Sequence, residues 1–539
     1  MTHPNRPKRI TVRDACGRLM ALSNTAEAWR KLYDGQDVLL LGLGPGDPCA
    51  LPFLRDKKRV YWLETPDAFE QPKAAGHASL QNPPPGWTCV STDEAVNLAK
   101  DHAVFFYQAG MRLAPDFWGP VIGRVDAMRA LRKCPPQQRA TGMPALAMAV
   151  QGRQRIALLP GDGTQLLHRE LRQALRDCGF CVVETDPAPA GNGNPVDEME
   201  RALDGATPDF LLSVNMRGLD SDGRIFHMLR ASGAPVAVWF VDTPWHILSS
   251  VRLPWWKDAD LYVTDAAFIP SLKCYGAKKV THLPLATAQH MWRSHGHRTE
   301  AGAALKPPLF IGRASFPERE RFFAAARVPA DADEEAMRLL KAAAGPASAP
   351  DIFWWYARMK TCLWPGNEVR IAGAGADRCS RANRARWLAA GLSAGMRIAG
   401  DTQWAALIPG CSPLPPVDYY TALPLCYESS LAVLNVTSLL LPHSLSQRHF
   451  DVWAAGGYLL TDATSGLSIF PEELTAPIRV RHPGELAEKF NEIAAHPAQV
   501  DALRHAWREH LRAAHSYCDR VETLCKALFT PSAFEQSPS

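Results

Sequence analysis

The sequence predicts an α/β protein built from Rossmann-like units, and three observations carry that prediction. From Arg155 onward, short runs rich in Val, Ile and Leu alternate with longer runs of helical period, the pattern of parallel strands buried on both faces and joined by crossover helices. Several of these strands run out into Gly, Asn or Asp, the residue types that suit a ligand crevice beyond the carboxyl ends of such a sheet. Finally, the stretch Ser444–Asp462, SLSQRHFDVWAAGGYLLTD, joins a capped helix, a double glycine and an acid-ended strand.

Composition narrows the setting. At 539 residues the chain has length for about three to four domains. Hydrophobic residues make up 47% and charged residues 21%, as in a globular protein that buries large cores. The net charge is only +4 and the Lys and Arg residues are scattered, which argues against nucleic acid as a partner. The basic N-terminus MTHPNRPKRI is not followed by an apolar signal region. No run of about eighteen apolar residues occurs, so no integral membrane segment is expected and a cytoplasmic location is. The 13 cysteines form an odd, irregularly spaced set, which fits reduced thiols. Cys178-Gly-Phe-Cys181 has redox spacing but follows a helical run and leads into a strand, the reverse of the helix-start context that lowers a thiol pKa.

Residues 1–145 read as a small, degenerate Rossmann-like domain. Val38–Leu41 is a strand running into Gly42-x-Gly44-x-Gly46, and Arg59–Glu64 is a second strand ending in an acid. Glycines after one strand and a carboxylate after the next can serve a nucleotide or S-adenosylmethionine. Pro48 and Pro52 leave no clean helix to point at a phosphate. Strands at Cys89–Ser91 and Val104–Tyr107 and helices at Thr92–His102 and Pro115–Lys133 complete the unit, and Cys134–Pro144 reads as a linker.

Residues 150–300 read as a second Rossmann-like domain, with strands at Ile156–Leu159, Val182–Glu184, Phe210–Val214, Val236–Val241, Leu261–Thr264 and Val280–Leu283. Their ends carry Gly161-Asp162-Gly163, Asn215, Asp242 and Asp265. The loop Asp242-Thr-Pro-Trp-His246 sets a carboxylate and an imidazole within one turn, the raw material of general acid–base catalysis. His290, His295 and His297 bunch together, but no Cys or acid stands near at metal-ligand spacing, so no metal site is expected.

Residues 301–530 read as a third, Rossmann-like domain with C-terminal helices. It opens with Leu309-Phe-Ile-Gly-Arg-Ala-Ser315, a strand followed by a glycine, a guanidinium and a hydroxyl, and Arg313 is suited to a phosphate. Helices are expected around Pro317–Arg327, Asp333–Ala344, Ile352–Cys362, Ser380–Ala390, Asp418–Ser429 and Gly484–His496, with short strands at Val369–Ala372, Met396–Ile398, Leu431–Val436 and Ile478–Val480. A continuous helix is expected over Ala498–Leu528. Ser444 and Gln447 stand in capping-box spacing, which predicts a helix starting there with free N–H groups able to hold an anion. Arg448 and Asp451 leave that helix on one side, one for a phosphate and the other for a hydroxyl. Gly456-Gly457 stops the helix, and Tyr458–Asp462 is a buried strand.

The run Leu431–Leu474 resembles the spore-coat-maturation-like (CgeB-type) glycosyltransferases, on Gln447-Arg448-His449-Phe450-Asp451, Gly456-Gly457 and Thr461-Asp462. More weakly, the resemblance extends over about residues 155–528. It implies a GT-B architecture, two facing Rossmann-like domains, here preceded by the small α/β domain. It also implies transfer of a sugar from a nucleotide-activated donor to a glycan, protein or lipid acceptor. Retaining GT-B enzymes usually carry a glutamate on this helix for the ribose and another a turn or two earlier for the sugar; this chain has Asp451 at the ribose position and no earlier glutamate. On that reading the donor is held by Arg313, Ser446, Gln447, Arg448, Asp451, Gly456, Gly457 and Asp462, and Asp242 and His246 are the candidate catalytic pair on the acceptor side. No metal or cofactor is called for, since guanidinium groups and a helix dipole can neutralise the leaving diphosphate. Two other readings stand beside it. One is a methyltransferase or oxidoreductase using the Gly42–Glu64 feature, and the other is a non-catalytic glycan- or protein-binding relative.

Overall fold

The computed structural model describes residues 10–23, 25–46, 51–54, 59–65, 85–131, 155–185, 195–204, 206–292, 306–343 and 348–529. Pro48, the Cys134–Pro144 stretch, His295 and His297 lie outside them.

Three sheets follow one another along the chain. The first unit opens with an antiparallel hairpin, β1 (Ile10–Arg13) and β2 (Leu19–Leu22). Its sheet contains β3 (Trp29–Tyr33), β4 (Val38–Leu41), β5 (Val60–Leu63), β6 (Thr88–Cys89) and β7 (Ala103–Tyr107) in the order β3-β7-β4-β5-β6. Only β3 runs antiparallel, against β7. The first three strands escaped the sequence reading because they are only four or five residues long, and β1 and β3 mix charged with apolar residues.

The first unit is fastened to the second by helix α1 (Pro115–Ala130). The second contains β8 (Arg155–Pro160), α2 (His168–Asp177), β9 (Phe180–Thr185), β10 (Phe210–Val214), α3 (Arg224–Ala231), β11 (Val236–Phe240), β12 (Asp260–Val263) and β13 (Lys279–His282). Its six strands lie in the order β13-β12-β11-β10-β8-β9, all parallel. Helix α1 lies against α3, where Gly119 and Gly123 leave no room for a side chain: a Cβ at either would stand within 2.5 Å of His227. In the same seam Arg224 makes a two-pronged, fully buried pair with Asp126, at 2.7 and 2.8 Å. Removing one partner of such a pair costs about 3–5 kcal/mol, because the other charge is left buried and alone.

The third unit contains β14 (Leu309–Ile311), the long helix α4 (Val369–Ser393), β15 (Arg397–Ala399), β16 (Val433–Asn435), α5 (Arg448–Ala454), β17 (Leu459–Asp462), β18 (Arg479–Val480), α6 (Pro497–Ala514) and α7 (Tyr517–Phe529). Its parallel order is β15-β14-β16-β17-β18. Numbered within their own units, both large sheets begin 2-1-3-4-5, so each has a crossover point between its first and third strands. Ligands gather at such points. α7 returns to the second unit and packs on α2, its last ring, Phe529, meeting Phe210 at 6.0 Å. The expected α/β class with facing parallel sheets is what the chain adopts.

Three local expectations are corrected. Val369–Ala372 is the first turn of α4 rather than a strand. The helix runs on past that segment through glycines kept bare for close neighbours: a Cβ at Gly373 would stand 2.0 Å from His246 Nε2, and one at Gly375 2.6 Å from the Trp355 ring. The C-terminal helix is broken at His515–Ser516, where the His515 carbonyl accepts from Thr287 N–H at 2.8 Å and the Ser516 hydroxyl caps α7. Finally, the helix of the 444–462 stretch starts at Arg448, without a side-chain cap. The Ser444 hydroxyl donates to Leu441 O instead, and Ser446 N–H donates to His449 Nδ1 at 3.0 Å.

Candidate functional site

The carboxyl ends of the two large sheets face each other and touch. The Thr243 hydroxyl, just past β11, donates to Leu440 O at 3.0 Å, and the Asp265 carboxylate, just past β12, accepts from His443 N–H at 2.9 Å. Leu440 and His443 belong to the loop between β16 and α5, so the facing sheet braces the loop that leads into α5.

On the third unit's side, the crossover point between β14 and β16 is filled by Arg448. Its Nε donates to Ile311 O at 3.0 Å and its Nη1 to Asn435 Oδ1 at 2.8 Å, and the guanidinium lies over the Phe310 ring. Gly312 has no alternative there, since a Cβ would stand 2.6 Å from Arg448 Nη2. Burial lowers the Arg448 pKa. Beside it Arg384, from α4, donates to the carbonyls of Arg313 and Ala314, each at 3.2 Å. Burial, and then the neighbouring charge of Arg448, push the Arg384 pKa down to about 10, so it stays charged at neutral pH. The Arg313 side chain is exposed. Three guanidinium groups thus flank one strand-end turn.

Behind the turn lies a buried polar chain. Asn435 Oδ1 also accepts from the Ser446 hydroxyl at 2.8 Å, and its Nδ2 donates to Thr461 Oγ1 at 3.2 Å. His449 Nε2 reaches the same Thr461 oxygen at 3.1 Å. Since His449 Nδ1 accepts from Ser446 N–H, its proton is on Nε2; burial holds the ring neutral, with a pKa near about 3. Asp462, fully buried, accepts from the Thr437 N–H and hydroxyl, and burial raises its pKa to about 6.

Asp451 is the hub of a second network. Its Oδ2 accepts from the Tyr419 hydroxyl at 2.7 Å and its Oδ1 from Gln447 Nε2 at 3.0 Å, while burial raises its pKa to about 7. Gln447 also donates to Ala286 O and accepts from the Tyr517 hydroxyl at 2.8 Å. The network therefore links α5, the segment leaving the second unit and the start of α7. Gly456 (φ +82°) and Gly457 end α5 at its opposite end; a Cβ at Gly457 would stand 2.7 Å from Tyr427 O.

On the second unit's side, Asn215 takes a left-handed backbone (φ +53°) at the end of β10 and donates to Asp242 Oδ2 at 2.8 Å. Asp242 is reached by water yet crowded by protein. The crowding raises its pKa, against the pull of Asn215 and the Arg217 charge. His246 points elsewhere: it is buried against Gly373 of α4 and the rings of Phe322 and Phe323, and burial drives its pKa down to about 3. Asp242 and His246 are thus held in different surroundings, and no hydrogen bond joins them.

Among the described residues, no three His, Cys, Asp or Glu side chains gather as a metal site, and no helix is long and apolar enough to cross a membrane. The sequence reading missed Arg384, Asn435 and Tyr419 as partners. Asn435 had a signal, a polar residue ending an apolar strand; Arg384 and Tyr419 come from distant stretches and had none.

Residues 378–526 match a family described as glycosyl transferase-like. No curated protein matches the chain. Among solved structures, T4 phage BGT in complex with its UDP-glucose substrate is similar at 9% identity and a TM-score of 0.35, covering 70% of this chain and 99% of that one. An α,α-trehalose-phosphate synthase (UDP-forming) from Burkholderia vietnamiensis is similar at 12% identity and a TM-score of 0.36, with 70% and 99% covered. A glycosyltransferase from Rickettsia africae is similar at 9% and 0.37, with 70% and 100% covered. At such scores the strand orders above, not these likenesses, carry the description of the fold.

Proposed function

We propose that this chain is a glycosyltransferase that moves a sugar from a nucleoside diphosphate donor to an acceptor hydroxyl on a glycan, protein or lipid. The family match over residues 378–526 supports the reaction class. The observation that carries the assignment of the site is the set of Arg313, Arg384 and Arg448 around the turn after β14, opposite Asp242 on the facing sheet.

The donor's diphosphate would lie against that turn, where guanidinium groups offset the negative charge that grows on the leaving group as the glycosidic C–O bond breaks. Arg448 shapes the turn, Ser446 holds Asn435, Gln447 ties Asp451 to the segment leaving the second unit, and Asp462 keeps the neighbouring strand end in register. Asp451 would accept from the donor's ribose in place of the Tyr419 hydroxyl. Gly456 and Gly457 contribute by ending α5 where Tyr427 passes. Asp242, held by Asn215, would take the proton from the acceptor hydroxyl if transfer inverts the sugar; in a retaining reaction it would position the acceptor. His246, neutral and packed on α4, would support the loop that carries Asp242. We assign the chain to the spore-coat-maturation-like subgroup on its Gln447–Asp451 and Gly456-Gly457 signature, and to the cytosol on its cysteine usage. The donor chemistry is proposed to need no metal ion.

The test is slow hydrolysis of UDP-, GDP- and dTDP-sugars by the purified protein, with and without EDTA. One donor consumed at an undiminished rate in EDTA is the expected result. No hydrolysis and no binding of any nucleoside diphosphate would remove the proposal, and activity restored only by Mn²⁺ would remove its metal-free form.

The alternative cofactor role of the first unit has less to stand on. Glu64 accepts from Leu43 N–H at 2.7 Å and Thr65 N–H at 2.9 Å. The space between it, Gly42, Tyr107 and Trp118 is about 20 Å³, room for a water rather than a nucleoside.

A further inference from the structure

Cys178 and Cys181 do not work as a pair, since Cys178 ends α2 and Cys181 lies within β9. The Cys178 side chain instead meets Cys518, the second residue of α7. Both are free, half-buried thiols. Cys518 lines an open cavity of about 700 Å³, bounded by α2, the Thr287–Trp292 segment, Tyr420 and the start of α7, so a small oxidant can reach it. The positions of the two thiols differ in a way that matters. Cys518 sits at the N-terminus of a 13-residue helix, whose free N–H groups and dipole favour a thiolate; Cys178 sits at the C-terminal end of α2, where the field favours the neutral thiol. The contact between them has the same sense, since the hydrogen bond from Cys178 lowers the Cys518 pKa, and that bond together with burial raises the Cys178 pKa.

We propose that Cys518 and Cys178 form an oxidation site at which a peroxide makes a disulfide that ties α7 to α2 across the seam between the second and third units. The Cys518 thiolate attacks one peroxide oxygen and the O–O bond breaks. This leaves a sulfenic acid on Cys518 and a hydroxide that takes a proton to become water. The Cys178 sulfur then attacks the sulfenic sulfur, its proton leaving with the displaced hydroxyl as a second water. Two thiols are oxidised and one peroxide is reduced to two waters. The residue before Cys518 is Tyr517, which holds Gln447 and through it Asp451. The disulfide therefore fixes the strut between the two sheets, and a thiol reductant releases it.

The test treats the full-length protein with one equivalent of hydrogen peroxide, maps peptides without reduction and follows thermal unfolding. A Cys178–Cys518 linked peptide is expected, with a Tm raised by roughly 5 °C or more that returns to its starting value with dithiothreitol. In Cys178→Ser, which cannot close the bond, dimedone should label Cys518; in Cys518→Ser, Cys178 should stay unlabelled. A link between Cys178 and Cys181, or absence of any link at Cys518 in the peroxide-treated protein, would overturn the proposal.

Discussion

Two strand ends in this molecule are built from the same parts and end differently. β4 runs into Gly42 and Gly44 at the crossover point of the first sheet, with Glu64 at the end of the neighbouring strand; β14 runs into Gly312 at the crossover point of the third. At β4 the glycines serve aromatic packing: with φ of +86° and +69°, their missing Cβ atoms would stand 3.0 Å from Tyr107 and 3.1 Å from Trp29. The carboxylate is taken up by the N–H groups of Leu43 and Thr65. At β14 the glycine makes room for a guanidinium, and the surrounding groups carry positive charge. A strand, a glycine and an acid locate a crevice. What arrives in the crevice from other elements then decides its character, here the rings of Tyr107 and Trp118 at one end and the guanidinium groups of Arg448 and Arg384 at the other.

The contrast can be broken most sharply on the acceptor side. Asp242→Asn should lower turnover by about 10²-fold in an inverting reaction while UDP affinity holds, the usual worth of general-base catalysis, as steady-state kinetics with parallel calorimetry would report. A mutant with the parent's turnover would return this loop to a structural part. Next in size, Arg448→Ala should weaken nucleoside diphosphate binding by about 1.5–3 kcal/mol, whereas Gly42→Ala, at the other strand end, should leave that affinity unchanged. Equal effects from the two would erase the distinction between the ends.

A pH effect separates the buried acids from the surface. Asp451 has a folded pKa of about 7 against an ordinary 3.8, so the folded chain binds its proton more tightly than the unfolded chain. The stability it lends is complete below pH 4 and is lost as pH rises towards 7, by at most about 1.4 kcal/mol per pH unit. Denaturation of Asp451→Asn between pH 4 and 7 should lack this component, and a slope identical to the parent's would refute the assignment. The least effect is expected at Gly42–Glu64. Calorimetric titration with S-adenosylmethionine or NAD should give no binding heat, and a clear isotherm for either would reopen that crevice as a site.

Much of the middle of the chain was legible because the inner strands β8, β10, β11 and β12 are buried and write themselves as apolar runs, and Asn215 and Asp242 are where two such runs stop. The third unit was legible at β14, β16 and β17, and less so elsewhere. Ser444 and Gln447 have the spacing of a capping box, but Leu441 O claims the serine, and Ala286 O, Asp451 and Tyr517 engage the glutamine. Propensity spoke for a local bond and tertiary contacts outbid it. The partnership of Asp451 with Tyr419, and of Arg384 with the turn after β14, joins stretches far apart in sequence, which no local pattern records.

The bare face that Gly119 and Gly123 present to His227 bears on how the chain can be divided. A fragment starting at Arg155 would keep both large sheets, yet it would strip Arg224 of Asp126 and lay open the side of α3 that α1 covers. Such a fragment should aggregate or unfold unless Arg224 is also replaced by a neutral residue. The small first unit is thus less an appendage than a lid on the second.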